Sequence, residues 1–281
     1  MSADIREARK GPLVYRQKLA TRVSHWLWVV CLAFLLGSGL NIFMARPDLY
    51  IGQQSGFEFD NRVFSIGSTT IDGVTRGVTT VFGHQFDTTG WLGIVERNGE
   101  RVRQSFPPWL TIPGYRDLAT GRVVHFFFAW LLVGTLMIWL VASLFNGHAR
   151  RLIPTLSDLK RLPRDVADHA RLRFHAEGRE YNVLQKLSYA VILFIVLPLM
   201  ILTGLTMSPG FNAFFPWTLD LFGGRQTART LHFVLMLALV GFFVIHIAMV
   251  VLAGPINELR SMITGWYRLP KSARTTEDTH R

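Results

Sequence analysis

The chain has 281 residues, 49% of them hydrophobic, with a mean hydropathy of +0.27. Only 17% are charged, against about a quarter in soluble globular domains, which argues against a water-soluble enzyme and against a disordered chain. The net charge is +11, but the basic residues flank long apolar runs, so their partner is a membrane surface rather than nucleic acid.

Residues 1–25 carry Arg6, Arg9, Lys10, Arg16, Lys18 and Arg22 against only Asp4 and Glu7. An apolar run over 26–44 follows, long enough for a first span and without an A-x-A site that would mark a cleavable signal. It holds the only cysteine, Cys31, so an intrachain disulfide is excluded; the absence of C-x-x-C-H excludes covalently attached haem. The loop 45–122 has eight charges of each sign. Its segments Thr70-Ile-Asp-Gly-Val74 and Gly77-Val-Thr-Thr-Val-Phe82 set β-branched residues between turn signals and predict one or two short hairpins. Phe106-Pro-Pro-Trp-Leu-Thr-Ile-Pro-Gly-Tyr115 reads as an irregular aromatic approach to a second span over 123–145. The loop 146–186 holds nine basic and five acidic residues. Within it Leu156, Leu159 and Leu162 beside Lys160 and Arg161 predict an interfacial helix. A third span over 187–207, a short loop 208–228, a fourth span over 229–253 and a basic tail 254–281 complete the chain.

The expected fold class is therefore an all-α membrane protein, a four-helix transmembrane bundle whose outer loop contains short β-hairpins. The positive-inside rule puts both termini and the 146–186 loop in the cytoplasm, with 45–122 and 208–228 periplasmic, in a bacterial inner membrane.

Four of the nine histidines lie in or at the spans: His25, His125, His232 and His246. Ionisable residues there are costly and mark function by default, although any one of them could be a satisfied polar residue between helices. Their depths are paired. His25 begins the first span on the inner side, and His125 and His232 begin the second and fourth on the outer side. His246 follows His232 by 14 residues, a rise of about 21 Å that returns to nearly the same helix face. This couples His125 with His232 outside and His25 with His246 inside. Two pairs so far apart do not make one binuclear metal centre. They suit two planar macrocycles, each clamped between helices through two axial imidazoles, which is a di-haem b arrangement.

Arg22-Val-Ser-His25, Arg122-Val-Val-His125 and Arg229-Thr-Leu-His232 repeat R-x-x-H at the start of a span. Each arginine lies one turn nearer the surface on the histidine's face, where its guanidinium can meet a haem propionate; ordinary charge anchoring at a helix end is the alternative. Gly37, Gly39, Gly134, Gly204 and Gly241 permit close approach of helices or a macrocycle. The remaining histidines, His84, His148, His169, His175 and His280, lie in polar segments and read as surface residues.

With four spans, ligand histidines on the first, second and fourth, and the 14-residue spacing, the chain resembles the bacterial b561-like cytochrome b family. That family includes the membrane subunits of formate dehydrogenase, Ni/Fe hydrogenase and thiosulfate reductase. The resemblance implies two b haems that pass electrons between a periplasmic redox partner and the quinone pool, with His125 and His232 on the outer iron and His25 and His246 on the inner one. Tyr181-Asn-Val-Leu-Gln-Lys186 is similar to the segment beside the quinone pocket of formate dehydrogenase-type subunits. It implies that Asn182 hydrogen-bonds a quinone carbonyl, while on sequence alone Asn182 is equally a helix cap. Those subunits carry a glycine where this chain has Leu184. The long outer loop is more similar to cytochromes that accompany a periplasmic molybdopterin oxidoreductase. The alternative function is a haem-free membrane anchor or proton-relay subunit. A substrate-converting site in the outer loop is disfavoured, because its acids are scattered among turns with one histidine and no cysteine.

Overall fold

The computed structural model describes residues 11–56, 60–145, 153–155, 157, 158, 160, 162, 163, 165, 166 and 183–269. Four of its helices are long and apolar enough to cross a membrane: α1 (Leu19–Ala45), α2 (Leu118–Phe145), α3 (Val183–Thr206) and a fourth, Arg225–Ala253. Apolar side chains such as Phe127, Trp130, Ile138, Phe243 and Ile245 point outward from them, as a hydrocarbon solvent requires. Each helix begins four to seven residues before the expected apolar run. Hydropathy marks where a helix becomes apolar, whereas the polar first turns carrying Arg22, Arg122 and Arg229 already satisfy the helical hydrogen-bond pattern. In α3 a π-helical turn, Ile192–Val196, precedes Pro198, whose ring nitrogen cannot continue the ordinary ladder.

The packing divides the chain into two compact units, described in turn. The first comprises Met1–Leu27, Trp139–Ile192 and Val240–Arg281. In it a strand near each end of the chain, β1 (Leu13–Tyr15) and β8 (Trp266–Arg268), pair antiparallel with Tyr15 opposite Trp266. The helix Pro255–Thr264 lies just before β8. Asn257 clamps the strand by donating to the Arg268 carbonyl at 2.9 Å and accepting its N–H at 3.0 Å. Trp26 Nε1 donates to the Met262 carbonyl at 3.1 Å, and Arg16 meets Glu258 at 3.5 Å. The expected interfacial helix is described only in part, since Leu156 and Leu159 fall outside the described residues. Asp158 there binds the Thr155 N–H at 2.9 Å and Lys186 at 3.5 Å, interactions that hold its carboxyl below the usual range.

The second unit comprises Trp28–Ile138 and Leu193–Leu239. Its 45–122 segment forms more sheet than the one or two short hairpins expected. Strands β2 (Asp48–Tyr50), β3 (Arg62–Ile71), β4 (Val74–Val81) and β5 (His84–Asp87) make one antiparallel sheet in that order, and β6 (Gly93–Arg97) pairs with β7 (Glu100–Gln104). Asp72-Gly73, Phe82-Gly83 and Asn98-Gly99 form two-residue turns with positive φ at both positions, the geometry that matches strand twist. Phe43, Leu49 and Ile66 form a buried cluster beneath the sheet, joined by Phe64, Phe106 and Phe233. Phe43 and Phe233 stack at 4.7 Å, which ties the sheet to α1 and to the helix Arg225–Ala253.

The Pro-rich segment is an ordered insertion beside α1. Ile112 N–H donates to the Gly37 carbonyl at 3.0 Å, and a Cβ at Gly37 would lie 2.7 Å from the Ile112 side chain. Asn41, fully buried, donates to the Pro113 and Tyr115 carbonyls at 2.8 and 2.7 Å and accepts the Asp117 N–H at 3.3 Å. Non-helical backbone at this depth is tolerated because protein groups complete its hydrogen bonds. Two short helices, α4 (Pro209–Phe214) and α5 (Trp217–Leu221), then lead into α6, as the Arg225–Ala253 helix is numbered here, and Pro255–Thr264 becomes α7. The first N–H groups of α6 are capped from the 45–122 segment, with Gln226 and Thr227 donating to the Gly52 carbonyl at 3.1 and 3.2 Å.

Candidate functional site: two facing histidine pairs

The first unit brings His25 of α1 and His246 of α6 together with ring centroids 6.4 Å apart. Trp26 lies edge-on to His25 at 5.3 Å, and Phe242, one turn before His246, stacks on it at 5.8 Å. His25 Nδ1 is buried without a hydrogen-bond partner among the described residues. Arg22, one turn before His25, donates through one terminal nitrogen to the Ile263 carbonyl of α7, and its Nε is likewise buried without a partner among those residues. A buried guanidinium N–H without an acceptor fits a site that takes an anion.

In the second unit His125 of α2 faces His232 of α6, again with centroids 6.4 Å apart. Ser38 Oγ lies 3.2 Å from His125 Nδ1, and Thr203 Oγ1 lies 3.1 Å from His232 Nδ1. The Met200 carbonyl is also 3.1 Å from His232 Nδ1. A Cβ at Gly39 would stand 3.3 Å from His125 Cε1, and one at Gly204 would stand 3.3 Å from His232 Cε1. Gly39 and Gly204 are thus the seats of the two rings, whereas a Cβ at Gly134 or Gly241 would meet nothing within 4 Å. Arg122 stacks over the Phe126 ring at 5.7 Å. Arg229 donates to the Arg46 carbonyl and lies 5.5 Å over Phe43, so it also fastens α6 to the end of α1.

Both pairs suit a metal held by two imidazoles. An iron with bonds of about 2 Å to nitrogen would hold two imidazoles with their centroids a little over 6 Å apart, a separation that edge-on ring contact also allows. Among the described residues no group of three or more His, Cys, Asp or Glu could hold a metal ion. Each pair offers two imidazoles, a donor set that would suit a metal whose remaining ligands came from a bound cofactor. Sequence reasoning missed Ser38 and Thr203. Their signal was the repeated hydroxyl-glycine dipeptide, Ser38-Gly39 and Thr203-Gly204. Asn182 lies outside the described residues, and at its neighbour the Val183 N–H is capped by Asp165 at 3.1 Å.

No solved structure matches the chain. A protein of Azospira oryzae named as the YedZ1 subunit of a protein-methionine-sulfoxide reductase is 28% identical over 247 residues, covering 87% of this chain and 93% of its own length. The family model for prokaryotic cytochrome b561 matches residues 16–265. With four helices able to cross a membrane, and a family match over nearly its whole length, the chain belongs to the prokaryotic cytochrome b561 family of multi-pass membrane haem proteins.

Proposed function

We propose that the chain is a di-haem b cytochrome that carries electrons between the quinone pool and a periplasmic redox partner. The observation that carries this reading is the recurrence of one geometry: two histidine pairs, each with ring centroids 6.4 Å apart. His125 and His232 would hold one haem iron and His25 and His246 the other. Haem supplies one-electron redox chemistry when bound, while the protein contributes ligation, orientation and electrostatic tuning. Arg22, Arg122 and Arg229 would hold propionates, with the Arg22 Nε, buried and without a partner among the described residues, the strongest support. Asn182 would hydrogen-bond a quinone carbonyl near His246.

The reading includes an orientation in the bacterial inner membrane with both termini cytoplasmic. The β1–β8 pairing supports it, because segments near the two ends must then share one side, as an even number of spans requires. The sheet of the 45–122 segment would face the periplasm and receive a molybdopterin-dependent oxidoreductase. The name of the Azospira oryzae relative supports a sulfoxide reductase as that partner.

The test is a reduced-minus-oxidised visible spectrum of the purified full chain, with non-covalent haem extracted and counted. About two haems per chain, reducible by a quinol analogue, are expected. One haem or none, in protein purified under haem-sufficient conditions, would overturn the di-haem assignment. Failure of quinol to reduce a haem-replete protein would overturn the quinone coupling.

A further inference from the structure

The pair His125–His232 carries a feature that ligation alone does not require. Each ring meets a fully buried hydroxyl through Nδ1, Ser38 for His125 and Thr203 for His232. The direction of these hydrogen bonds follows from the proton count. Ser38 Oγ is 2.6 Å from the Phe34 carbonyl, four residues earlier in α1, and a carbonyl only accepts. The single serine proton is therefore committed there, and Oγ turns a lone pair toward His125. Thr203 Oγ1 is committed in the same way, 2.8 Å from the Leu199 carbonyl and 3.1 Å from that of Met200. The Met200 carbonyl, also against His232 Nδ1, can only accept as well. Both imidazoles must then carry their proton on Nδ1, which leaves the Nε2 lone pair of each free.

The glycines complete the arrangement. Gly39 and Gly204 directly follow the two hydroxyl residues, and side chains there would press on Cε1 of the same rings. A hydroxyl and a glycine from α1 seat one imidazole, and a hydroxyl and a glycine from α3 seat the other. The same device on two helices, aimed at two facing rings, goes beyond the ordinary back-bonding of Ser and Thr in helices, which needs no third partner.

We infer that Ser38 and Thr203 are positioning residues for the axial ligands His125 and His232, fixing the tautomer and angle of each ring and strengthening it as a donor. The inference rests on the assignment of these histidines to haem iron. An imidazole whose Nδ1–H is hydrogen-bonded is the more basic ligand, and a more basic ligand favours ferric over ferrous iron. The two hydroxyls therefore lower the potential of the haem on this pair.

The experiment compares Thr203→Val, Ser38→Ala, the double variant and the conservative Thr203→Ser in the purified full chain. Each is titrated potentiometrically by visible spectrum, with haem counted. Thr203→Val and Ser38→Ala are expected to raise one of the two midpoint potentials and leave the other in place. The double variant shifts it further and weakens haem retention by roughly 10- to 100-fold. Thr203→Ser behaves as the parent. Loss of haem in Thr203→Val but not in Thr203→Ser carries the same assignment, since the serine retains the hydroxyl beside the Met200 carbonyl. Unchanged potentials at full haem content, or equal haem loss in the valine and serine variants, would overturn it. His232→Ala separates the two levels: if it keeps both haems the ligand assignment fails, and if it loses one while Thr203→Val changes nothing, only this inference fails.

Discussion

The two histidine pairs share a ring separation of 6.4 Å and differ in almost everything around it. His125 and His232 are fixed from behind by Ser38, Thr203 and the Met200 carbonyl and are seated on glycines. His25 and His246 are framed instead by Trp26 and Phe242, and His25 Nδ1 has no partner among the described residues. If each pair holds a haem iron, as proposed, that common spacing would be set by the coordination of two imidazoles. The shell behind the rings is where two such haems would acquire different properties. The covering differs too, since residues 106–117 are bonded onto α1 through Gly37 and Asn41 in the second unit, while α7 and the β1–β8 ribbon complete the first.

The sharpest way to break this comparison is to remove one ligand from each pair. His232→Ala and His246→Ala should each halve the haem content, about two per chain falling to about one, with different remaining spectra. Loss of both haems from either variant, with the fold intact by circular dichroism, would show that the pairs are not independent sites.

A smaller effect is expected from the glycine seats. Gly204→Ala puts a methyl 3.3 Å from His232 Cε1, tighter than ordinary van der Waals contact, whereas Gly134→Ala meets nothing within 4 Å. Gly204→Ala should displace the ring and lower occupancy of that haem by severalfold, and Gly134→Ala should bind as the parent. Equal haem content in the two variants would remove the glycine from the account of this pair.

The smallest effect is a pH dependence. Asp117 caps α2, the helix that bears His125, by accepting the Ala119 and Thr120 N–H groups at 3.1 Å each and the Thr120 hydroxyl at 2.7 Å. These bonds, led by the Thr120 side chain, hold its carboxyl below the ordinary aspartate range. With the folded value depressed, the cap's contribution is full above the unfolded aspartate value, about 3.9, and is lost as pH falls through the folded one. Thermal stability in detergent should therefore decline on the acid side of about pH 4. Asp117→Asn should flatten that decline; an unchanged slope would show that other carboxylates carry it.

Much of this was legible in the chain. Hydropathy and length fixed the four apolar helices, because a bilayer leaves the backbone no other way to satisfy its hydrogen bonds. That His232 and His246, 14 residues apart, share a helix face follows from helical pitch, and the Asp72-Gly73 turn from the preference of two-residue hairpins for positive φ. These are local properties, set by residues close together in sequence.

Other features required the tertiary structure. That Ser38 lies behind His125, 87 residues away, and Thr203 behind His232, 29 residues away, depends on how the helices rotate against one another. Apolar pattern leaves that rotation open when a helix is hydrophobic all round. The insertion of residues 106–115 beside Gly37 and the pairing of Tyr15 with Trp266 are likewise contacts between distant segments. The sequence by itself determined which segments are long and apolar enough to cross a membrane and how far apart along one helix His232 and His246 stand, since each helix's own pitch and hydropathy decide that. Only the tertiary structure decided which hydroxyl, glycine and carbonyl stand behind each imidazole, because those neighbours come from the packing of different helices.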